Sequence, residues 1–464
     1  RHLADLDSLD ANSHENRRRE GSLMSIEVSS ATAGAANASS PGPFLGWRMV
    51  GVAFVAQFIS TGVVLSIVGN FSGPISEEFG VPQTMIGIAP GVSILVMGIA
   101  GPFVGRALDG GHARRLMATG ALLTGLGLIL LSRTHEFWLL GVIHVSLVST
   151  GAALFGAMPS MALVTNWFVR QQGFALGLAV AGATLASFPA PAAAEWMIIN
   201  YDWRTALFAF GVFTLVAGVP AFATLVIGRP EFVGQRPDGD DLSTVAHAPK
   251  DNEASQDVPG TLAVGVLARD SRLWLAAVGF GLVMSSPVVL IALLIPYGKE
   301  LGFSGKDAAY FFAAMTPFSL LGKLVLGRLA DRAPLKPIIA FVVLLNIACW
   351  GILSMEPGFT LFLIGGAIYG LGIGGAAPVH GVLLARLFGR ANYGRVSGLG
   401  GMAAIPLLVL ANFASQAMLG ATGSYQMTFG MQAGLLVVGG ILLASVRIPD
   451  SDVSVVSDDA ALEA

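Results

Sequence analysis

Gly105-Arg106-Ala107-Leu108-Asp109 follows one long apolar block of this chain, and Gly327-Arg328-Leu329-Ala330-Asp331 follows another. The two pentapeptides share Gly-Arg and a closing Asp, and one lies in each half of the sequence. Three further pairs recur at nearly the same separation: Gly156 with Gly375, Arg170 with Arg390, and Gly177 with Gly398. Four matches at nearly one separation predict two copies of one structural unit.

The composition places that unit in a membrane. Hydrophobic residues make up 54% of the chain and charged residues only 12%, whereas soluble domains are about a quarter charged. Twelve apolar blocks are each long enough to cross a hydrocarbon core of ~30 Å as a helix. They are 47–69, 84–108, 116–132, 137–165, 173–195, 205–227, 273–296, 307–328, 336–355, 359–386, 395–419 and 425–447. We predict an all-α membrane protein with twelve transmembrane helices in two pseudo-symmetric six-helix bundles.

Polar segments divide the chain into five parts. We predict a disordered N-terminal tail (1–45), a first six-helix bundle (46–227), a linker (228–268), a second bundle (269–447) and an acidic C-terminal tail (448–464). Most Lys and Arg residues lie in the tails, the linker and the loops on the same side of the membrane. The positive-inside rule then predicts that both termini and the linker are cytoplasmic, in a multi-pass protein of the cell membrane.

Duplicated six-helix halves are typical of transporters with a substrate site near the middle of the bilayer. The sequence lacks a P-loop, an HExxH motif and a Gly-x-Ser-x-Gly motif, and Cys349 is its single cysteine. These patterns do not favour an enzyme, a metal site or a cofactor. A net charge of −3 gives no basic surface for nucleic acid.

Lys323 is the candidate for binding substrate. It lies in the otherwise uncharged block 311–326, eight residues before Asp331, which is ~12 Å along a helix. An ammonium group in hydrocarbon costs several kcal/mol unless it meets a counter-charge or a polar cavity. None of the predicted spans holds a carboxylate deep enough to pair with it, so an anionic substrate is expected to do so. The alternative is that Lys323 extends to the cytoplasmic head groups.

His380 is the candidate for carrying a proton. It lies six residues before Arg386, at a depth similar to that of Lys323, and imidazole takes up a proton near neutral pH. The alternative is a hydrogen bond between helices. Four further polar residues are predicted to line the substrate pathway, although each also fits an interhelical hydrogen bond: Ser319, Tyr369, Gln57 and His144.

Asp109 and Asp331 are predicted to form a gate on the cytoplasmic side. Each carboxylate is expected to meet the N-terminus of a neighbouring helix or a cationic loop residue such as Arg170 or Arg390. Such contacts form when the carrier opens outward and break when it opens inward. Simple helix capping is the alternative.

The repeated Gly-Arg-x-x-Asp resembles the loop motif of the major facilitator superfamily. The run from Asn166 to Gly182 (NWFVRQQGFALGLAVAG) is similar to the helix-five signature of monocarboxylate transporters and their bacterial relatives, the oxalate–formate exchangers. Gly46-Trp47-Arg48 fits the same group. The resemblance implies the major facilitator fold and transport by alternating access. Animal members carry an Asp and, four residues later, an Arg in helix eight, where this chain has Ser319 and Lys323.

We therefore predict a monomeric secondary transporter, embedded in the lipid bilayer, that carries a small organic anion. The first candidate is a monocarboxylate moved together with a proton. One alternative is an exchanger that moves oxalate-like or other organic acids against a counter-anion. An alternative of another class is a transport-inactive sensor or receptor on the same scaffold.

Overall fold

The computed structural model describes residues 43–239 and 262–448. Within those ranges there is no β-strand, and twelve helices are long and apolar enough to cross a membrane. The twelve helices are α1 (Gly46–Phe79), α2 (Met85–Asp109), α3 (Ala113–Leu131), α4 (Phe137–Trp167), α5 (Gln172–Asn200), α6 (Trp203–Leu225), α7 (Ser271–Glu300), α8 (Gly305–Arg332), α9 (Leu335–Ser354), α10 (Phe359–Phe388), α11 (Arg390–Thr422) and α12 (Tyr425–Ser445). The predicted fold class is confirmed.

Because the number of helices is even, α1 begins and α12 ends on one side of the membrane, which we call the terminal side. Helices α1–α6 form the N-terminal half and α7–α12 the C-terminal half. The predicted tails, apart from residues 43–45 and 448, and positions 240–261 of the predicted linker lie outside the described residues.

Several helices of the N-terminal half are interrupted. Helices α1, α4 and α6 contain π-helical turns at Ser60–Ser66, His144–Ser149 and Thr214–Gly218. Helix α5 breaks at Ser187 and Phe188, directly before Pro189, because proline has no N–H to donate to the carbonyl one turn earlier. Such breaks are tolerated where neighbouring helices satisfy the freed backbone groups.

The two halves meet along two helix pairs, α2 with α11 and α5 with α8. At both crossings the main chains approach so closely that a Cβ atom on a glycine of one helix would collide with the backbone of the other. Small residues permit this approach in membrane bundles. The facing pairs are Gly101 with Gly398, Gly105 with Gly394, Gly173 with Gly327, and Gly177 with Lys323.

Gly177→Ala tests whether this contact holds the halves together. Its methyl group would collide with the main-chain carbonyl of Lys323, and overpacking of this kind costs about 1–3 kcal/mol. We expect a lower melting temperature of the detergent-solubilised protein and slower transport. Gly141→Ala is the matched control, because a Cβ there meets nothing within 4 Å. A Gly177→Ala protein as stable and active as Gly141→Ala would contradict the role of this contact.

Candidate functional site

Lys323 lies on α8 where the two halves meet, and the residue is 7% exposed. The ammonium Nζ donates a hydrogen bond of 2.9 Å to Oγ of Ser319. Ser319 precedes Lys323 by one helical turn, and α8 ends at Arg332 on the terminal side. The ammonium therefore points away from the terminal side and towards the middle of the membrane. The structure does not show the alternative arrangement, in which Lys323 extends to head groups on that side.

No carboxylate in the described ranges balances the charge of Lys323. Among the residues that the structure describes, no carboxylate forms an ion pair with it, and Ser319 is its only hydrogen-bond partner. An ammonium group has three donors, so two of them are unused. Burying an unpaired charge costs several kcal/mol. Two donors of Lys323 are therefore available to a negatively charged acceptor.

The internal repeat shows how this cation is placed. Lys323 corresponds to Gly101, because each lies one helical turn before the first glycine of the repeated pentapeptide. Both positions pack against a glycine of the other half, Gly177 and Gly398. The two interfaces therefore share a backbone arrangement at these positions, where the α5–α8 interface has a lysine and the α2–α11 interface has a glycine.

Asp109 and Asp331 each bind the N-terminus of a helix in the other half. The carboxylate of Asp331 accepts hydrogen bonds from the backbone N–H groups of Gly173 (2.5 Å) and Phe174 (2.9 Å) on α5. The carboxylate of Asp109 accepts two bonds of 3.0 Å from the N–H groups of Gly394 and Arg395 on α11. Free N–H groups and the helix dipole favour an anion at this position. Both aspartates thus join the two halves on the terminal side.

The cationic loop residues have other partners than the two aspartates. Arg390 forms an ion pair of 2.7 Å with Glu231 and donates a hydrogen bond of 3.1 Å to the carbonyl of Asn166. Nε of Arg170 lies 3.9 Å from a carboxylate oxygen of Asp238. The carboxylate of Asp109 instead pairs with Arg395, at 3.6 Å, and Arg229 donates to the main-chain carbonyl of Asp109 at 2.7 Å.

Glu231 and Asp238 belong to the segment 226–239, which follows α6 and crosses the terminal side of the N-terminal half. Trp167 and Asn166 at the end of α4 donate to the carbonyls of Ile227 (2.8 Å) and Gly228 (3.1 Å). Through Glu231 the segment reaches Arg390 in the C-terminal half. Arg390 therefore contacts the N-terminal half through Glu231 and Asn166 and not through either of the predicted aspartates.

His380 is not brought to Lys323. Its ring stacks on Phe280, with 3.7 Å between ring centroids and 6° between planes. The surrounding pocket is apolar and is formed by helices α7, α9, α10 and α12, all of the C-terminal half. Nε2 of His380 has no hydrogen-bond partner among the described residues. The similar depth predicted from the sequence therefore did not imply a shared site.

The other predicted pathway residues also lie apart from Lys323. The hydroxyl groups of Tyr369 and Ser286 are 3.1 Å apart, and Trp350 donates to Ser286 at 2.9 Å, all inside the C-terminal half. Gln57 is buried in α1 and its Nε2 has no partner. Nε2 of His144 lies 2.9 Å from the hydroxyl of Ser93, in the N-terminal half. Of the predicted substrate contacts, only Ser319 touches Lys323.

No group of three His, Cys, Asp or Glu residues in the described ranges is placed to hold a metal ion.

Comparison with known proteins assigns this architecture to a family. The sequence profile of the Major Facilitator Superfamily matches residues 50–358 and 289–461. The chain belongs to the major facilitator superfamily.

Relatives within the superfamily include monocarboxylate transporters. Monocarboxylate transporter 13 of Bos taurus is 25% identical over 419 residues, which cover 86% of this chain and 88% of the relative. Monocarboxylate transporter 12 of Rattus norvegicus is 27% identical over 356 residues, covering 71% and 70%. An MFS-type transporter of Gibberella moniliformis is 27% identical over 254 residues, and the match spans 54% of its length.

Two crystal structures share the fold of this major facilitator. The human organic anion transporter MFSD10 (TETRAN) has a TM-score of 0.63 at 14% identity, covering 86% of this chain and 99% of that chain. A bacterial homologue of the iron transporter ferroportin in an outward-facing state has a TM-score of 0.61 at 14% identity, covering 86% and 100%. At this identity the likeness concerns the fold alone.

The major facilitator halves are closed on the terminal side and separate on the other. The first part of α5, Gln172–Ala186, packs against α8, whereas its second part, Pro189–Asn200, packs mainly against α1 and α6 of its own half. The end of α1, Val68–Phe79, also packs mainly within its own half. A cleft therefore opens away from the termini, and Lys323 lies towards its closed end.

Proposed function

We propose that this major facilitator carries a small organic anion, foremost a monocarboxylate, across the cell membrane in symport with a proton. The observation that carries the proposal is the buried ammonium of Lys323, which has no acidic partner among the described residues. Relatives named monocarboxylate transporters and a structural neighbour named an organic anion transporter support it.

A carboxylate suits this site for electrostatic reasons. Ionised hydrogen bonds are about twice as strong as neutral ones, and a buried charge is strongly stabilised by a well-placed counter-charge. The substrate would supply the counter-ion that the helices omit. The occupied site would then be neutral and would be able to close, whereas closure around a bare ammonium would be costly. Binding and alternating access are thereby linked.

The positive-inside rule places the terminal side in the cytoplasm, because most Lys and Arg residues lie in its loops. The cleft described above then opens outward. The bonds of Asp109 and Asp331 across the halves would hold the cytoplasmic side shut and would break as the carrier opens inward.

The proton would travel on Lys323 itself. Its described partner is a serine hydroxyl, and His380 lies in a separate apolar pocket. With protonated Lys323 and the anion as a neutral pair, the binding site would change its exposure from one side of the membrane to the other. After the anion and the proton leave, the empty site with a neutral amine would return to its first exposure. One proton would therefore move with each anion.

Exchange of one anion for another is a second candidate. The isolation of Lys323 favours it, because an amine that remains protonated could reorient only when an anion neutralises it. Oxalate-like and other organic acids are substrates to test in this mode.

Purified protein in proteoliposomes tests the proposal. Labelled lactate, pyruvate, acetate, oxalate and aromatic acids are offered with and without an imposed pH gradient. Symport predicts net uptake of a monocarboxylate that rises with an inward proton gradient. Exchange predicts counterflow that does not depend on the gradient. If no organic anion is transported in either mode, the proposal is wrong.

His380→Gln tests where the proton is carried. Because the imidazole is enclosed by apolar side chains and stacked on Phe280, we expect the variant to keep the pH dependence of uptake. A modest loss of stability from altered stacking is the expected effect. The measurement is the initial uptake rate between pH 5 and pH 8, beside thermal unfolding. A flattened pH profile with normal stability would instead assign the proton to His380.

A further inference from the structure

We infer that Thr184 on α5 is the contact from the N-terminal half to the carboxylate held by Lys323. This inference rests on the proposed function and adds a residue that no sequence motif indicated. The two oxygens of one carboxylate group would then be bound by residues of opposite halves of the transporter.

The register of α5 and α8 puts Thr184 near the ammonium. Gly173 packs on Gly327 and Gly177 on Lys323, so the helices run antiparallel and four residues along one match four along the other. Thr184 follows Gly177 by seven residues, about two turns, and thus lies on the same face of α5. Helix α5 stays regular to Ala186.

Continuing that register sets Thr184 opposite Thr316. Ser319, whose hydroxyl accepts the bond from the Lys323 ammonium, is three residues further along α8, ~4.5 Å. Thr184 and the ammonium are therefore at nearly the same depth, on facing helices, where the halves begin to separate.

The hydroxyl of Thr184 is unused. Thr214 and Thr316 donate to the carbonyl four residues earlier, at 2.8 Å each. Among the described residues no such bond, or any other, involves the hydroxyl of half-buried Thr184. A free O–H donor and an ammonium with two unused donors match the two oxygens of a carboxylate. One oxygen would bind Lys323 and the other Thr184.

The second interface of the repeat supports this specialisation. Thr184 follows Gly177 by two turns, and Ile405 on α11 follows the equivalent Gly398 by the same interval, so the two positions correspond. The side chain of Ile405 packs on Gly98 of α2. That interface has Gly101 in place of Lys323 and is filled with an apolar side chain. Hydroxyl and ammonium thus occur together, at the α5–α8 interface.

Thr184→Val removes the hydroxyl while keeping the shape of the side chain. Since a hydrogen bond to a charged group is worth more than a neutral one, we expect the KM for the transported carboxylate to rise about 10-fold or more. Thr184→Ser keeps the donor and is expected to stay within about 3-fold of the native KM. Thr224→Val is the control, because that hydroxyl donates to the carbonyl of Pro220 on an exposed part of α6.

Melting temperatures of all variants, with and without substrate, complete the test. Thr184→Val should unfold like the native protein without substrate and gain less stability when substrate is added. A native KM for Thr184→Val, in a protein whose transport depends on Lys323, overturns the inference. If the native protein moves no carboxylate, the proposed function itself fails, and the two failures are thereby distinguished.

Discussion

Replacement of Lys323 by alanine is expected to abolish transport and, at the same time, to leave the empty protein at least as stable. Loss of transport follows because the ammonium is the anchor for the anion. Truncating one partner of a buried charged pair costs about 2–5 kcal/mol, so substrate affinity should fall by roughly 30-fold or more. Stability should not fall, since the native ammonium is buried with a single hydroxyl partner and its removal relieves an unpaired charge.

The opposite signs of the two effects distinguish this result from misfolding. Melting temperature and uptake are measured on the same purified protein, with and without the carboxylate. The native protein should be stabilised by substrate, whereas Lys323→Ala should not respond to it. Lys306→Ala is the matched control, because Lys306 is exposed in the first turn of the same helix. If substrate stabilises Lys323→Ala as much as the native protein, Lys323 does not anchor the anion.

Sequence alone predicted the fold because its signals are local. A long apolar block specifies a membrane helix wherever it occurs, and the repeat around Asp109 and Asp331 requires only a constant separation along the chain. The first helix is longer than its apolar block, reaching Phe79 rather than residue 69. Backbone hydrogen bonds continue into the polar stretch after the apolar signal ends. The residues at which a helix begins and ends are therefore less predictable than the presence of the helix.

The site was only partly predictable. The isolation of Lys323 was visible because the absence of carboxylates is a property of the sequence. His380 was predicted to lie at a depth similar to that of Lys323, yet depth does not reveal which face of a helix points to which neighbour. Its ring turned out to stack on Phe280 inside one half. Glu231, the partner of Arg390, lies in a polar segment without periodicity. The conformation of that segment, and hence this ion pair, could not be predicted from the sequence.

The sequence left two partners open for the gate aspartates, and the structure distinguishes them. Asp331 binds backbone N–H groups at the start of α5, and Asp109 those at the start of α11. A helix N-terminus offers several unpaired donors in fixed directions, whereas a loop arginine must order a long side chain. The repeat places an aspartate at the end of one helix against the start of another, twice.

Lys323→Arg is expected to separate exchange from symport. Arginine keeps the positive charge and can bind a carboxylate, but its guanidinium does not lose its proton in proteins. If the proton travels on Lys323, the binding site of the variant can change its exposure from one side of the membrane to the other when an anion is bound. The empty site cannot, because its charge remains. We expect counterflow of labelled anion to persist in part and net uptake driven by a pH gradient to be lost.

Both modes are measured in the same vesicles. Counterflow is started with unlabelled anion inside and no gradient, and net uptake with empty vesicles and an inward proton gradient. The native protein performs both if it is a symporter, and only counterflow if it is an exchanger. Net, pH-driven uptake by Lys323→Arg would show that the proton is carried by another group. In that case the single hydrogen bond of Lys323 to Ser319 marks an anion anchor without a role in coupling, because a permanently charged residue could then replace the lysine.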